Sequence, residues 1–304
     1  MTAILKKIYF FILGLVQTIV SFLLIIVFNR PGSAYQLRRI RKQQKGNAAS
    51  ILASGPSARE IVEKRKDLLL ETDILVLNNF ANQEVFFQLK PQYYIIVDPA
   101  YFDDNFIYEG LAEKSGNTDR TQEKMVIENL KKVDWPMTLF LPSNRKARKA
   151  KNLLSENPNI KTVFFNATKV VGFTGFQNLM YGLGQGVPSS RNVIIPAMIL
   201  LIICGYKKVL LYGCEFSWTK TMDVDLENGM MFFNDRHFYS KDEIRYFGKG
   251  GYLWWLEGIV ECLKATNSVA CFAESEGTQI TNRTKGSFID SFVYENPDNL
   301  LQDS

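Results

Sequence analysis

Ala49-Ser50-Ile51-Leu52-Ala53-Ser54-Gly55-Pro56-Ser57 decides the fold. Five small and apolar residues read as a buried strand, and Gly-Pro-Ser as the tight turn that starts a helix over Ala58–Leu68. Gly55 lets the backbone turn sharply and lets a ligand come close. Pro56 and Ser57 suit a helix start whose N–H groups face outward, an arrangement that attracts phosphate. The turn is not a Walker loop, because no Gly-Lys-Ser/Thr follows, and it lacks G-x-G-x-x-G spacing.

The same alternation continues in both directions. Strands are expected at Asp73–Leu77, Tyr93–Val97, Met137–Leu141, Lys161–Phe165, Val209–Tyr212 and Ser268–Phe272. Helices are expected at Thr121–Lys132, Asn144–Ser155, Val193–Cys204 and Lys241–Lys264, the last broken near its start by Gly248, Gly250 and Gly251. Gly205 fits a helix C-cap. Strands alternating with helices imply βαβ units, hence an α/β, doubly wound, Rossmann-like and mainly parallel sheet. Ligands of such sheets sit outside the carboxyl ends of the strands.

Polar residues stand at those ends. Asn78 and Asn79 follow the second strand, Asp98 the third, and Gly213-Cys214-Glu215-Phe216-Ser217-Trp218 the strand at Val209–Tyr212. Together with the Gly-Pro-Ser turn they predict a nucleotide cleft. His237 is the single histidine of the chain. It is the side chain best suited to proton transfer near neutral pH.

Residues 8–28 form an uncharged apolar run of 21 residues. As a helix it is about 30 Å long, the thickness of a bilayer's hydrocarbon core. Its apolar residues run all round the helix, which favours a span over a helix lying in the interface. Lys6 and Lys7 precede it, while Arg30, Arg38, Arg39, Arg41, Lys42 and Lys45 follow. That asymmetry places the body on the cytoplasmic side of the inner membrane. The expected organisation is an anchor over 1–29, a basic linker over 30–48, a catalytic domain over 49–290 and a tail over 291–304. The net charge is +5, with a second basic cluster at Arg145–Lys151 that reads as a solvated helix face or a contact with anionic lipid. No basic stripe interleaved with aromatics points to nucleic acid. Cys204, Cys214, Cys262 and Cys271 form no C-x-x-C pair, so a zinc site is not expected and a reducing compartment fits. Cys204 and Cys271 lie in apolar runs and are expected to be buried.

Ile51 to Ser57 resembles the opening of single-domain bacterial sialyltransferases, whose first strand ends in a Gly-Asn-Gly-Pro-Ser turn. The resemblance continues at Leu77-Asn78-Asn79-Phe80, Val97-Asp98-Pro99 and Cys204 through Phe216. A related pterin-pyrophosphokinase-like group shares the turn. Gly213 through Tyr239 is similar to uncharacterised proteins of surface-polysaccharide loci. The resemblance implies a glycosyltransferase that uses a nucleotide sugar, CMP-linked sialic acid for the sialyltransferases, without a metal cofactor. The acceptor would be a lipid-linked or polysaccharide glycan. It assigns Ser54, Gly55, Ser57, Asn78 and Asp98 to the nucleotide, Asn192 to the donor, and His237 to the base; Pro56, Asn79, Glu215 and Ser217 join the expected nucleotide site from their places in the turn and at the strand ends. Ser54 and Asp98 stand where the sialyltransferases have Asn, and their histidine aligns near Tyr239–Lys241. A Mg²⁺-dependent phosphoryl transferase would instead use Asp98 and Glu215 as metal ligands. The non-enzyme alternative is a membrane scaffold that keeps the fold.

Overall fold

The computed structural model describes residues 3–28, 32–41, 47–112, 120–144, 147, 157–238 and 243–301. The Arg145–Lys151 cluster, the helix expected over Asn144–Ser155, and Tyr239–Lys241 fall largely or wholly outside them.

Thirteen strands and nine α-helices are described. The helices are α1 (Ala3–Phe28), α2 (Gly32–Arg41), α3 (Ala58–Lys64), α4 (Lys66–Leu70), α5 (Glu84–Leu89), α6 (Thr121–Lys131), α7 (Thr174–Gly182), α8 (Ile194–Cys204) and α9 (Gly251–Ser275). The strands are β1 (Ala48–Leu52), β2 (Asp73–Leu77), β3 (Tyr93–Ile95), β4 (Met137–Pro142), β5 (Ile160–Phe165), β6 (Lys169–Val170), β7 (Val187–Pro188), β8 (Lys208–Tyr212), β9 (Met222–Val224), β10 (Met231–Asp235), β11 (Glu243–Tyr246), β12 (Gln279–Asn282) and β13 (Val293–Tyr294). Eight strands form one sheet in the order β13-β12-β8-β1-β2-β3-β4-β5, and every pairing in it is parallel. The expected doubly wound sheet is therefore present. The chain leaves β1 toward β2 on one side, while β8 flanks β1 on the other. Their carboxyl ends form the point where the winding reverses.

Each face of the sheet carries a core. One is centred on α8, all of whose residues are buried, which explains its uninterrupted apolar sequence. The other gathers Phe80, Phe86, Tyr94 and Trp135 beneath α3, α5 and α6. Gly205 closes α8 in the left-handed conformation, as expected.

Several expectations change. Ser268–Phe272 is not a strand but part of α9, because Cys262, Ala265, Thr266, Val269, Phe272 and Ala273 recur at helical spacing and are buried. Cys271 falls off that stripe and is exposed, whereas Cys204, Cys214 and Cys262 are buried. The helix expected from Lys241 begins only at Gly251, and Glu243–Tyr246 is a strand. A separate antiparallel sheet, β11-β10-β9, forms an arm between β8 and α9. The stretch 30–48 carries α2, whose Leu37 and Ile40 are buried in the core. The stretch 291–304 supplies the edge strand β13. Among the described residues, α1 alone is long and apolar enough to cross a membrane.

Candidate active site

The turn after β1 and the loop after β8 close on each other at the switch point. The Gly55 N–H donates to the Gly213 carbonyl at 3.0 Å. The Ser57 N–H donates to Glu215 Oε1 at 2.6 Å, so the anion held by this turn is the protein's own carboxylate. That revises the expectation of outward N–H groups free for phosphate. It also gives Gly55 its reason. A Cβ there would lie 1.5 Å from Glu215 Oε2 and 2.6 Å from the Gly213 carbonyl oxygen. Asn78 and Phe216, at the ends of β2 and β8, are held at φ 46° and 51°. Non-glycine residues in this region are uncommon and concentrate at functional sites. The Tyr94 hydroxyl donates to the Asn78 carbonyl and accepts from the Ala81 N–H, which fixes that turn. Asn78 Oδ1 is buried without a hydrogen-bond partner among the described residues.

A cavity of about 630 Å³ opens over these loops. It brings together nine of the expected residues: Ser54, Gly55, Pro56, Ser57, Asn78, Asn192, Glu215, Ser217 and His237. Asn192 Oδ1 accepts the Ile194 N–H at 2.8 Å, capping α8 from the cavity wall. Asn79 and Asp98 are placed elsewhere. They line a second cavity of about 330 Å³, which shares Ser54, Asn78, Trp218, Asp235 and His237 with the first. Asp98 Oδ1 accepts the Ala100 N–H at 2.9 Å and Oδ2 accepts the Tyr108 hydroxyl at 2.7 Å. Asn79 Oδ1 accepts from the Tyr101 hydroxyl. The second cavity is rich in aromatic rings, among them Tyr101, Tyr108, Phe233, Trp254 and Trp255. Trp255 stacks on Phe233 at 4.6 Å between centroids, and the Arg191 guanidinium lies 3.9 Å from the Trp254 centroid.

His237 stands in the shared wall. Its Nε2 is 3.4 Å from Asp235 Oδ1, and Arg245 Nε is 3.1 Å from Asp235 Oδ2. Burial disfavours the imidazolium, but the Asp235 carboxylate outweighs it and raises the His237 pKa, with Arg245 opposing. Burial likewise disfavours the Asp235 carboxylate, yet His237 and Arg245 hold its pKa below the ordinary value. The backbone beside His237 is clamped. The Phe238 N–H donates to the Ser54 carbonyl at 3.0 Å, and Arg59 Nε on α3 donates to the Phe238 carbonyl at 3.1 Å. His237 and its carboxylate partner Asp235 thus sit in the wall common to the two cavities.

Asp235, Arg245 and the α9 tryptophans carried no site expectation. Their arm left one local mark, Asn228-Gly229 between short apolar runs, a hairpin signal. Gly229 takes φ 68° in that turn. Among the described residues no three histidine, cysteine or carboxylate groups converge as a metal cluster would.

No family model and no curated protein matches the chain. Among solved structures it is similar to a MAf glycosyltransferase from Magnetospirillum magneticum AMB-1. That match has a TM-score of 0.46 and 10% identity, over 88% of this chain and 38% of the other. The chain thus spans well under half the length of that protein, and a likeness this distant assigns no activity.

Proposed function

We propose that the chain is a membrane-associated glycosyltransferase with His237 as its general base. The observation that carries this reading is the position of the His237–Asp235 pair in the wall common to two cavities of different chemistry. The larger cavity, floored by the strand-end loops with Ser54, Ser57 and Ser217, takes the nucleotide sugar. The aromatic cavity takes the acceptor, because the apolar face of a pyranose ring lies well against indole and phenol rings. His237 removes the proton of the acceptor hydroxyl as that oxygen bonds to the anomeric carbon. The bond from that carbon to the nucleotide's phosphate oxygen breaks, and the nucleotide leaves as an anion. Ser54, Ser57, Ser217 and Lys220, which line the larger cavity, are the groups available to the departing charge.

The strand-end resemblance to bacterial sialyltransferases supports a CMP-linked acidic sugar, such as sialic acid, as donor and a lipid-linked or polysaccharide glycan as acceptor. Asp98 accepts hydrogen bonds at both oxygens and lies in a different cavity from Glu215, so the pair does not favour the Mg²⁺-dependent alternative. The test is nucleotide release by the purified full chain in detergent. CMP release from CMP-sialic acid that survives EDTA and is lost in His237→Ala is the expected result. AMP formation from ATP only with Mg²⁺, and no CMP release, overturns it.

A further inference from the structure

The helix α1 is not a free tether. The Ser21 hydroxyl donates to the Val171 carbonyl at 2.9 Å and accepts the Val171 N–H at 3.0 Å. Thr18 Oγ1 accepts the Phe173 N–H at 3.0 Å. Gly172 lies so close that a Cβ on it would be 2.8 Å from the Thr18 backbone, and the rings of Phe11 and Phe173 meet at 5.5 Å. Gly14, Thr18, Ser21 and Ile25 follow at intervals of four, three and four, which is one face of a helix. They are its less exposed positions, with Ser21 and Ile25 buried. The polar residues hidden in the apolar run therefore form a seam against the body.

This seam is incompatible with a span. The apolar run starts at Ile8, after the exposed Lys6 and Lys7. Only six residues, Ile8–Leu13, precede the seam, about 9 Å of helix where a bilayer needs about 30 Å. A span would also carry Val171 toward the midplane. Lys169, ion-paired to Glu261 at 3.0 Å, lies two residues before it, within about 7 Å of chain. Charged side chains at that depth are costly.

We propose that α1 is a monotopic helix lying in the membrane interface, with its seam on the body and its remaining sides in lipid. An interfacial helix ordinarily carries its own charged face; here the body occupies that side, so composition alone resembles a span. The occupant is lipid rather than a protein partner because the exposed residues surround the seam. Phe10, Ile12, Val16, Ile19, Phe22 and Ile26 are each about half exposed or more. A partner helix covers one stripe, whereas lipid covers all of it. Lys6 and Lys7 at the start of α1, and Arg39 on α2 after it in the chain, are exposed cations that suit anionic headgroups.

Sidedness and exchange test this together. In the full chain, exposed Cys271 reports the body, and Ile4→Cys in a Cys271→Ser background reports the start of α1. A membrane-impermeant maleimide should label both in the same preparation, whether spheroplasts or sealed inside-out vesicles. Labelling in opposite preparations overturns the proposal. In vesicles of phosphatidylcholine and phosphatidylglycerol, the Val171 and Phe173 amides should exchange at least tenfold more slowly than in Thr18→Val/Ser21→Val. Equal exchange in the two proteins overturns the seam. Quantitative trapping of Phe22→Cys, in the same Cys271→Ser background, as a disulfide dimer assigns this face to a second copy and overturns lipid as the occupant.

Discussion

Asp235 engages both of its oxygens, one toward His237 and the other toward Arg245. A base acts when deprotonated, and the His237 pKa is raised above the ordinary 6.5. The rate should therefore climb with pH through a midpoint above 6.5, read from kcat/KM profiles. Asp235→Asn removes the stabilising carboxylate and leaves Arg245, so the midpoint should move to lower pH. His237→Ala should abolish this limb and lower kcat by roughly a hundredfold, about 2.7 kcal/mol of barrier. Donor affinity by calorimetry should stay, because the base meets the acceptor. The same pair carries a stability signature. A raised histidine pKa stabilises the fold below the unfolded value and ceases to do so as pH rises through the folded one. Asp235→Asn should thus lower Tm more at pH 6 than at pH 9. Equal losses at both would mean that the two groups do not exchange charge on folding.

At the scale of elements, the arm β9-β10-β11 brings His237, the proposed base, to the sheet, and α3 holds its neighbour Phe238 there. Arg59 on α3 donates to the Phe238 carbonyl, one residue from His237. Arg59→Ala should lower kcat by about tenfold through misplacement, with donor affinity unchanged. An unchanged kcat would show that the Phe238–Ser54 backbone bond suffices. The central strands were legible because each is an apolar run closed by turn residues. The turn at Gly55-Pro56-Ser57 and the ends at Asn78 and Glu215 followed from that. The arm was not, since its strands are short, only partly buried and register through pairs such as Phe233 with Arg245, which sequence spacing does not reveal. α9 was misread where Val269, Ala270, Cys271 and Phe272 gave a short apolar run that helix and strand share.

At the scale of the whole molecule, the proposed function rests on two cavities and one wall. The sequence indicated Ser54, Asn78 and His237 of that wall, but neither Asp235 nor the wall's two sides. Asn79 and Asp98 follow β2 and β3, and only the arm and α9, folded over them, separate their cavity from that above Gly55. The nucleotide should therefore depend on the first cavity alone. A ligand that binds only the folded state at 100 times its Kd stabilises by about 2.7 kcal/mol. In a large domain each kcal/mol raises Tm by about 2–4 °C. CMP should raise the Tm of the full chain in detergent by several degrees, and UDP, GDP and ATP by less. Ser57→Ala and Ser217→Ala should shrink the CMP shift, since both residues line the first cavity alone. Trp255→Leu, confined to the second, should leave the CMP shift intact while impairing transfer to an acceptor. A CMP shift that survives the serine changes and vanishes with Trp255→Leu would exchange the two cavities and place the nucleotide among the aromatic rings.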